Sequence, residues 1–154
     1  MEEQTLKIQK IKNGIVIDHI PCGMALKVLK ILNIEGDIGS TVSLVMHVKS
    51  RMGWKDVVKI EDRYLEEKEI DKIALIAPTA TVNVIKDYRV VKKHKVHIPE
   101  EIRGIVRCMN PRCITNQREP VTPEFRVVSK DPVIIKCKYC EREMSGEEII
   151  ENIL

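Results

Sequence analysis

The stretch Thr41-Val-Ser-Leu-Val-Met-His-Val48, followed by Gly53 and then Trp54-Lys-Asp-Val-Val-Lys-Ile60, decides the fold. Val42, Leu44, Met46 and Val48 alternate with Thr41, Ser43 and His47, the period of a half-buried strand. Gly53 supplies a turn before a second β-rich run, so 41–60 reads as a hairpin. On both sides of the hairpin the period becomes helical. Residues 23–32 place Met24, Val28, Ile31 and Leu32 at helical spacing, with Gly36 and Gly39 to stop the helix. Residues 66–77 carry Ile70, Ile73, Ala74 and Ala77 on one face, and Glu66, Glu67 and Glu69 in the first turn meet the positive end of the helix dipole. Pro78 ends that helix. Further out, Gly14-Ile-Val-Ile-Asp-His-Ile20 is a strand closed by Pro21, and 80–85 and 88–91 are strand candidates. The order is β-α-β-β-α-β with an extra strand, the split βαβ of ferredoxin-like sheets. Two helices cover one face of such an antiparallel sheet, and the other face is wet or covered by something else.

The composition changes near Pro99, where cysteines and prolines take over, so we expect one domain at 1–98 and a second at 99–154. The second shows strands near 104–108, 124–129 and 132–137, then a short helix at 146–153. The fold class is α+β: a ferredoxin-like N-terminal domain plus a small all-β domain whose core is thin enough to need a staple.

With 44% hydrophobic and 32% charged residues, the chain has enough apolar side chain to fold and is not a disordered segment. No apolar run approaches the roughly 20 residues that span a bilayer. The Met-Glu-Glu-Gln start is not a secretory signal, so no membrane partner and a cytoplasmic location are expected. The net charge of +3 is too mild to imply nucleic acid by itself. The excess positive charge sits in 1–98.

Four of the five cysteines lie in the last third. Cys108-Met-Asn-Pro-Arg-Cys113 is C-x4-C and Cys137-Lys-Tyr-Cys140 is C-x2-C. Each short loop lets two sulfurs converge on one ion, and two such knuckles complete a tetrahedron. Four thiolates leave no vacant corner, which describes one structural Zn²⁺ per chain rather than catalytic metal. Two disulfides, or an iron centre on the same ligands, are the alternatives. Lys136 and Lys138 flank the second knuckle and would offset its negative charge. The polar loop 114–120 beside the site is either a partner surface or solvated.

In the first half, Lys86, Arg89, Lys92, Lys93, His94, Lys95 and His97 crowd together with Tyr88, while Asp18, His19, Lys59 and Asn83 lie on other predicted strands. Such a run is either a solvated face or a site for an anionic ligand such as a polyphosphate, which lysine suits as a point charge. Neither a Walker A loop nor a Gly-x-Gly-x-x-Gly turn occurs. No catalytic constellation stands out. His47 reads as a structural or exposed strand residue, and Cys22 as a buried free thiol rather than an activated one.

Taken together, these strings resemble the regulatory chain of aspartate carbamoyltransferase from about Leu6 to Glu148. The most telling are Gly14-Ile-Val-Ile-Asp-His-Ile-Pro21, Lys55-Asp-Val-Val-Lys-Ile-Glu61, Leu75-Ile-Ala-Pro-Thr-Ala-Thr-Val-Asn83 and Lys136-Cys-Lys-Tyr-Cys-Glu141. The resemblance implies a non-catalytic subunit. Its N-terminal domain would bind nucleoside triphosphates, with CTP as inhibitor, ATP as activator and UTP alongside CTP in some members. Its zinc domain would dock onto the catalytic chain of pyrimidine synthesis, and two regulatory chains would pair through the N-terminal sheet. By the same resemblance, Ile11 contacts the base, His19 faces phosphate, and Asp18 helps hold the nucleoside. Lys59 reaches ribose and base, Asn83 and Ile85 line the pocket, Tyr88 and Val90 present backbone groups, and Lys93 meets phosphate. Cys108, Cys113, Cys137 and Cys140 match the metal ligands. The loop after Cys113 is one residue longer than in enteric bacterial members, and Trp54 and Arg112 depart from them.

A zinc-ribbon protein binding nucleic acid through the basic run is the alternative reading. Aromatic residues for stacking on bases are only 3%, and the metal half is net acidic, so no nucleic-acid partner is expected. An enzyme built on Asp18 and His19 lacks a nucleophile and an open metal.

Overall fold

The computed structural model describes residues 10–51, 53–118 and 121–154. Its first sheet is made of β1 (Gly14–Pro21), β2 (Val42–Ser50), β3 (Gly53–Glu61), β4 (Thr81–Lys86) and β5 (Arg89–Lys95), in the order β2-β3-β1-β4-β5 with every neighbour antiparallel. Helices α1 (Ala25–Ile31) and α2 (Glu67–Ile76) connect β1 to β2 and β3 to β4. The expected split βαβ order is therefore present, with β5 added as an edge. Ile15 and Ile17 of β1, Val58 and Ile60 of β3 and Val82 of β4 are buried against Ala25, Val28, Ile73 and Ala77 on the helix side.

Three one-residue bulges interrupt the alternation in this sheet, one of them on β5, where Lys92 pairs with Val84 and Val90 with Ile85. On β1 the register to β3 shifts between Ile17 and Ile20, and on β2 it shifts between Val45 and Val48. His19 and His47 stand in the β1 and β2 bulges with φ of 59° and 61°. The β2 bulge turns Val48 to the face opposite Val42 and Leu44, which corrects the unbroken alternation expected for 41–48. Helix α1 ends before the expected glycines. Asn33 takes φ 59°, its N–H bonds to the Lys30 carbonyl, and the Ile34 N–H bonds to Leu29. That is a Schellman stop with asparagine in the left-handed position.

The second half has a sheet of β6 (Glu101–Arg103), β7 (Glu124–Lys130), β8 (Val133–Cys137) and β9 (Glu143–Ser145), followed by α3 (Glu147–Glu151). The strand expected at 104–108 is instead an irregular segment with one bridge, Val106 to Ile153, while β6 and β9, three residues each, are too short to show a period in the sequence. Phe125, Ile102, Ile135, Met144 and Ile149 form a second core around the cysteines.

The two halves meet at a seam. Helix α2 sends Ile73, Ala74 and Ile76 into the first core and Leu75 into the second. Ile150 of α3 and Ile153, just after it, pack against the first core. Lys72 of α2 reaches the Leu154 carbonyl, and Lys27 of α1 pairs with Glu147 of α3.

Candidate metal centre and ligand face

The four predicted metal ligands converge. Cys108, Cys113 and Cys137 are buried and Cys140 is partly so, and their four sulfurs lie within 4.8 Å of one another. Cys108 Sγ is 3.6 Å from Cys140 Sγ, and Cys113 Sγ is 3.7 Å from Cys137 Sγ. All four are free thiols, so the two-disulfide alternative falls. Sulfurs bound at about 2.3 Å to one tetrahedral ion would stand about 3.8 Å apart, so this set fits a four-thiolate metal. Burial pushes the Cys108 and Cys137 thiols above their usual range, against opposing backbone N–H groups. Burial acts the same way on Cys140, but the Arg142 amide and the Asn110 side chain outweigh it and lower that thiol to about 7. Four thiolates this close need a cation.

The loops are built for the purpose. The Asn116 side chain donates to the Cys108 carbonyl at 2.7 Å and the Asn110 carbonyl at 2.8 Å, and Thr115 Oγ1 donates to Cys113 Sγ at 3.2 Å. The 114–118 part of the polar loop thus folds onto the metal site, and its remainder, Glu119 and Pro120, lies outside the described residues. Lys138 is engaged elsewhere, pairing with Glu101 at 2.9 Å and Glu124 at 3.6 Å.

On the first sheet, register does the assembling. Lys59, Val16, Asn83 and Lys93 are successive partners on β3, β1, β4 and β5, so they form one row. Asp18 pairs with Thr81 one rung to one side, and Ile85 pairs with Val90 one rung to the other. Alternation on β1, β3 and β4, with the one-residue bulge on β5 between Lys92 and Val90, puts all three rungs on the face without helices. The rung of Ile85 passes through Gly14, whose absent side chain keeps β1 against Ile60. Tyr88 tops a tight turn in which Asp87 and Tyr88 both have positive φ, 51° and 67°. The turn is held by Lys12, whose carbonyl accepts the Tyr88 N–H at 3.0 Å, and Ile11 beside it is buried. Tyr88, Val90 and Lys93 are exposed.

The polar end of this face has its own electrostatics. Asp18 pairs with Lys55 at 2.8 Å and accepts the His19 N–H at 2.6 Å. Burial raises the carboxyl, but these partners outweigh it and hold Asp18 below the usual carboxylate range. His19 Nδ1 lies 3.3 Å from Thr81 Oγ1. Burial lowers the Lys59 ammonium, with Asp18 opposing and Lys10 adding to the shift. Beside them His19, Ser50, Arg51 and Lys55 line a cleft of about 430 Å³. The sequence assigns no site role to Ser50, Arg51 or Lys55. For Lys55 the signal was present, because it stands four residues before Lys59 on the same strand and so on the same face. Arg51, in a turn, carries no periodic signal.

Residues 6–97 match the model of the aspartate carbamoyltransferase regulatory chain, allosteric domain, and residues 100–150 match the metal binding domain of the same chain. The chain is similar, at 53% identity over 98% of its length and 100% of the relative's, to the aspartate carbamoyltransferase regulatory chain of Thermoplasma volcanium. Proteins of the same name from Methanothrix thermoacetophila (52%, covering 100% of both chains) and Pyrococcus furiosus (54%, covering 96% and 98%) are comparably similar. This chain belongs to the aspartate carbamoyltransferase regulatory chain family. It is therefore a non-catalytic subunit, with an allosteric half and a metal-binding half, whose family name implies a catalytic chain as partner. The helix-free face with its cleft lies in the half matched by the allosteric-domain model, and the four cysteines in the half matched by the metal-binding one. Among the described residues, no helix is long and apolar enough to cross a membrane.

Proposed function

We propose that the helix-free face of the first sheet binds nucleoside triphosphates, CTP as inhibitor and ATP as activator, with UTP able to act alongside CTP. The observation that carries this reading is the register, which brings Lys59, Asn83 and Lys93 into one row between the Asp18 rung and the Ile85–Val90 rung. Asp18 lies four residues along β1 from Gly14, a span of about 13 Å that suits an extended nucleotide. The base lies at the apolar end, by Ile11, Ile85, Tyr88 and Val90. The phosphates lie toward Lys93, His19 and the cleft, where cations gather. Asp18 keeps Lys55 turned to that end and helps hold the nucleoside through its hydroxyl groups.

The division at 98/99 then separates an effector domain from a domain that grips the catalytic chain. The ion in the second is Zn²⁺, held by Cys108, Cys113, Cys137 and Cys140. It supplies folding energy and no reaction chemistry, since the cysteines fill all four positions. Two regulatory chains pair through the first sheet, whose β2 and β5 edges otherwise present unpaired backbone. The compartment is the cytoplasm, in keeping with cysteines kept as thiols for a metal. Control works by population shift: CTP and ATP bind the low- and high-activity assemblies unequally, and coupling of roughly 1–3 kcal/mol passes through the α2–α3 seam.

Calorimetric titration of CTP and ATP into the chain and into its Lys93→Ala variant tests the site. Loss of a phosphate-facing cation should weaken both nucleotides by about tenfold. Unchanged affinity would move the site elsewhere.

A further inference from the structure

Cys22, where the chain leaves β1, and His47, in the β2 bulge, are both exposed, and Cys22 Sγ lies 3.1 Å from His47 Nδ1. Two further observations show that this pair is held. Asp56 on β3, fully buried, accepts the His47 N–H at 2.9 Å through Oδ1 and the Gly23 N–H at 2.8 Å through Oδ2. One carboxylate thus fixes the backbone of His47 and of the residue after Cys22. Trp54, also on β3, stacks on the imidazole with ring centroids 4.2 Å apart and planes 8° from parallel. The ring is thereby set in place beside the thiol. Cys22 belongs neither to the metal centre nor to the rows of the ligand face.

A thiol within hydrogen-bond reach of an oriented imidazole nitrogen is the arrangement that generates a nucleophilic thiolate. We propose that Cys22 is a site of reversible thiol modification by low-molecular-weight disulfides, with His47 as its proton acceptor. His47 Nδ1 takes the thiol proton, and the Cys22 thiolate attacks one sulfur of the disulfide. The Cys22–sulfur bond forms as the disulfide's own bond breaks. The Cys22 sulfur is oxidised, the departing sulfur is reduced, and the leaving thiolate takes up the proton from His47. An added thiol reverses the exchange. Pro21, which precedes Cys22, pairs in register with Lys55, so the adduct is attached at the rim of the cleft lined by His19, Ser50, Arg51 and Lys55. The proposal stands whether or not that cleft takes nucleotide.

The test uses the full-length, metal-loaded chain and an aromatic disulfide whose leaving thiolate is coloured, followed by stopped flow with the adduct located by peptide mass spectrometry. One fast equivalent on Cys22 is expected, absent in Cys22→Ser. His47→Asn, which tolerates the left-handed backbone but cannot take the proton, should slow it by about tenfold. Trp54→Leu, which frees the imidazole to swing, provides a second variant should His47→Asn fold poorly, and it should also slow the reaction. A Cys22 rate no greater than that of an ordinary free thiol would overturn the proposal. So would a rate unchanged in whichever of these two variants keeps the native circular dichroism.

Discussion

Gly14 shows how much one position contributes to the ligand face. A Cβ built there would lie 2.1 Å from the Ile60 carbonyl oxygen, and its φ of 141° suits no L side chain. Gly14→Ala should cost about 2–3 kcal/mol, read as a lower urea midpoint, because neither the backbone of β3 nor the φ can relax cheaply. Positions that follow strand parity are legible: Asp18, Lys59, Asn83 and Ile85 lie on predicted strands, and the register brings them to one face. Residues at irregular backbone are not. His19 and His47 read as ordinary strand residues, and Cys22 as a buried thiol, yet both histidines sit in bulges and Cys22 is exposed beside one of them. A bulge is one extra residue in a strand and leaves no mark in composition or period.

Among the elements, β3 organises the first half. It lies between β2 and β1, is bulged against on both sides, and carries Asp56, whose carboxylate takes the N–H groups of Gly23, Ala25 and His47. Helix α1 therefore starts on a carboxylate from another strand, as Met24 at its N-cap offers no side-chain bond. Sequence reading had no means to find this, since the partner is more than 30 residues away. Asp56→Ala should leave buried donors without acceptors and lower stability by about 3 kcal/mol, measured by denaturant unfolding. Helix α2 was legible in extent, from its acidic first turn to Pro78, but not in its second face. Leu75 points to the metal half because α3 and the C-terminus come to meet it. A local apolar pattern records that a face is buried, not which core buries it.

At the scale of the whole molecule, two cores of different origin share one seam. The first is a sheet-and-helix core of branched aliphatics, and the second surrounds four sulfurs. Chelation should therefore act unequally. Removing the metal should release one zinc per chain and strip hydrogen-exchange protection from β7 and β8, while amides of β1, β3 and β4 stay protected. Iron in place of zinc would show as visible absorbance before chelation. The order of elements in the first half and the metal spacing were readable because both are local patterns along the chain, whereas the three-residue strands β6 and β9 of the second half carry no period. The seam was not, because it depends on where the last few residues return.

If the cations on the helix-free face read the nucleotide, as proposed above, the catalytic partner must feel the result. The most direct measurement is the aspartate saturation curve of the enzyme assembled from catalytic chains with this chain or with Lys93→Ala, with and without CTP. CTP is expected to shift the wild-type curve toward higher aspartate and to leave the Lys93→Ala curve nearly unmoved. An equal shift in both would contradict that proposal.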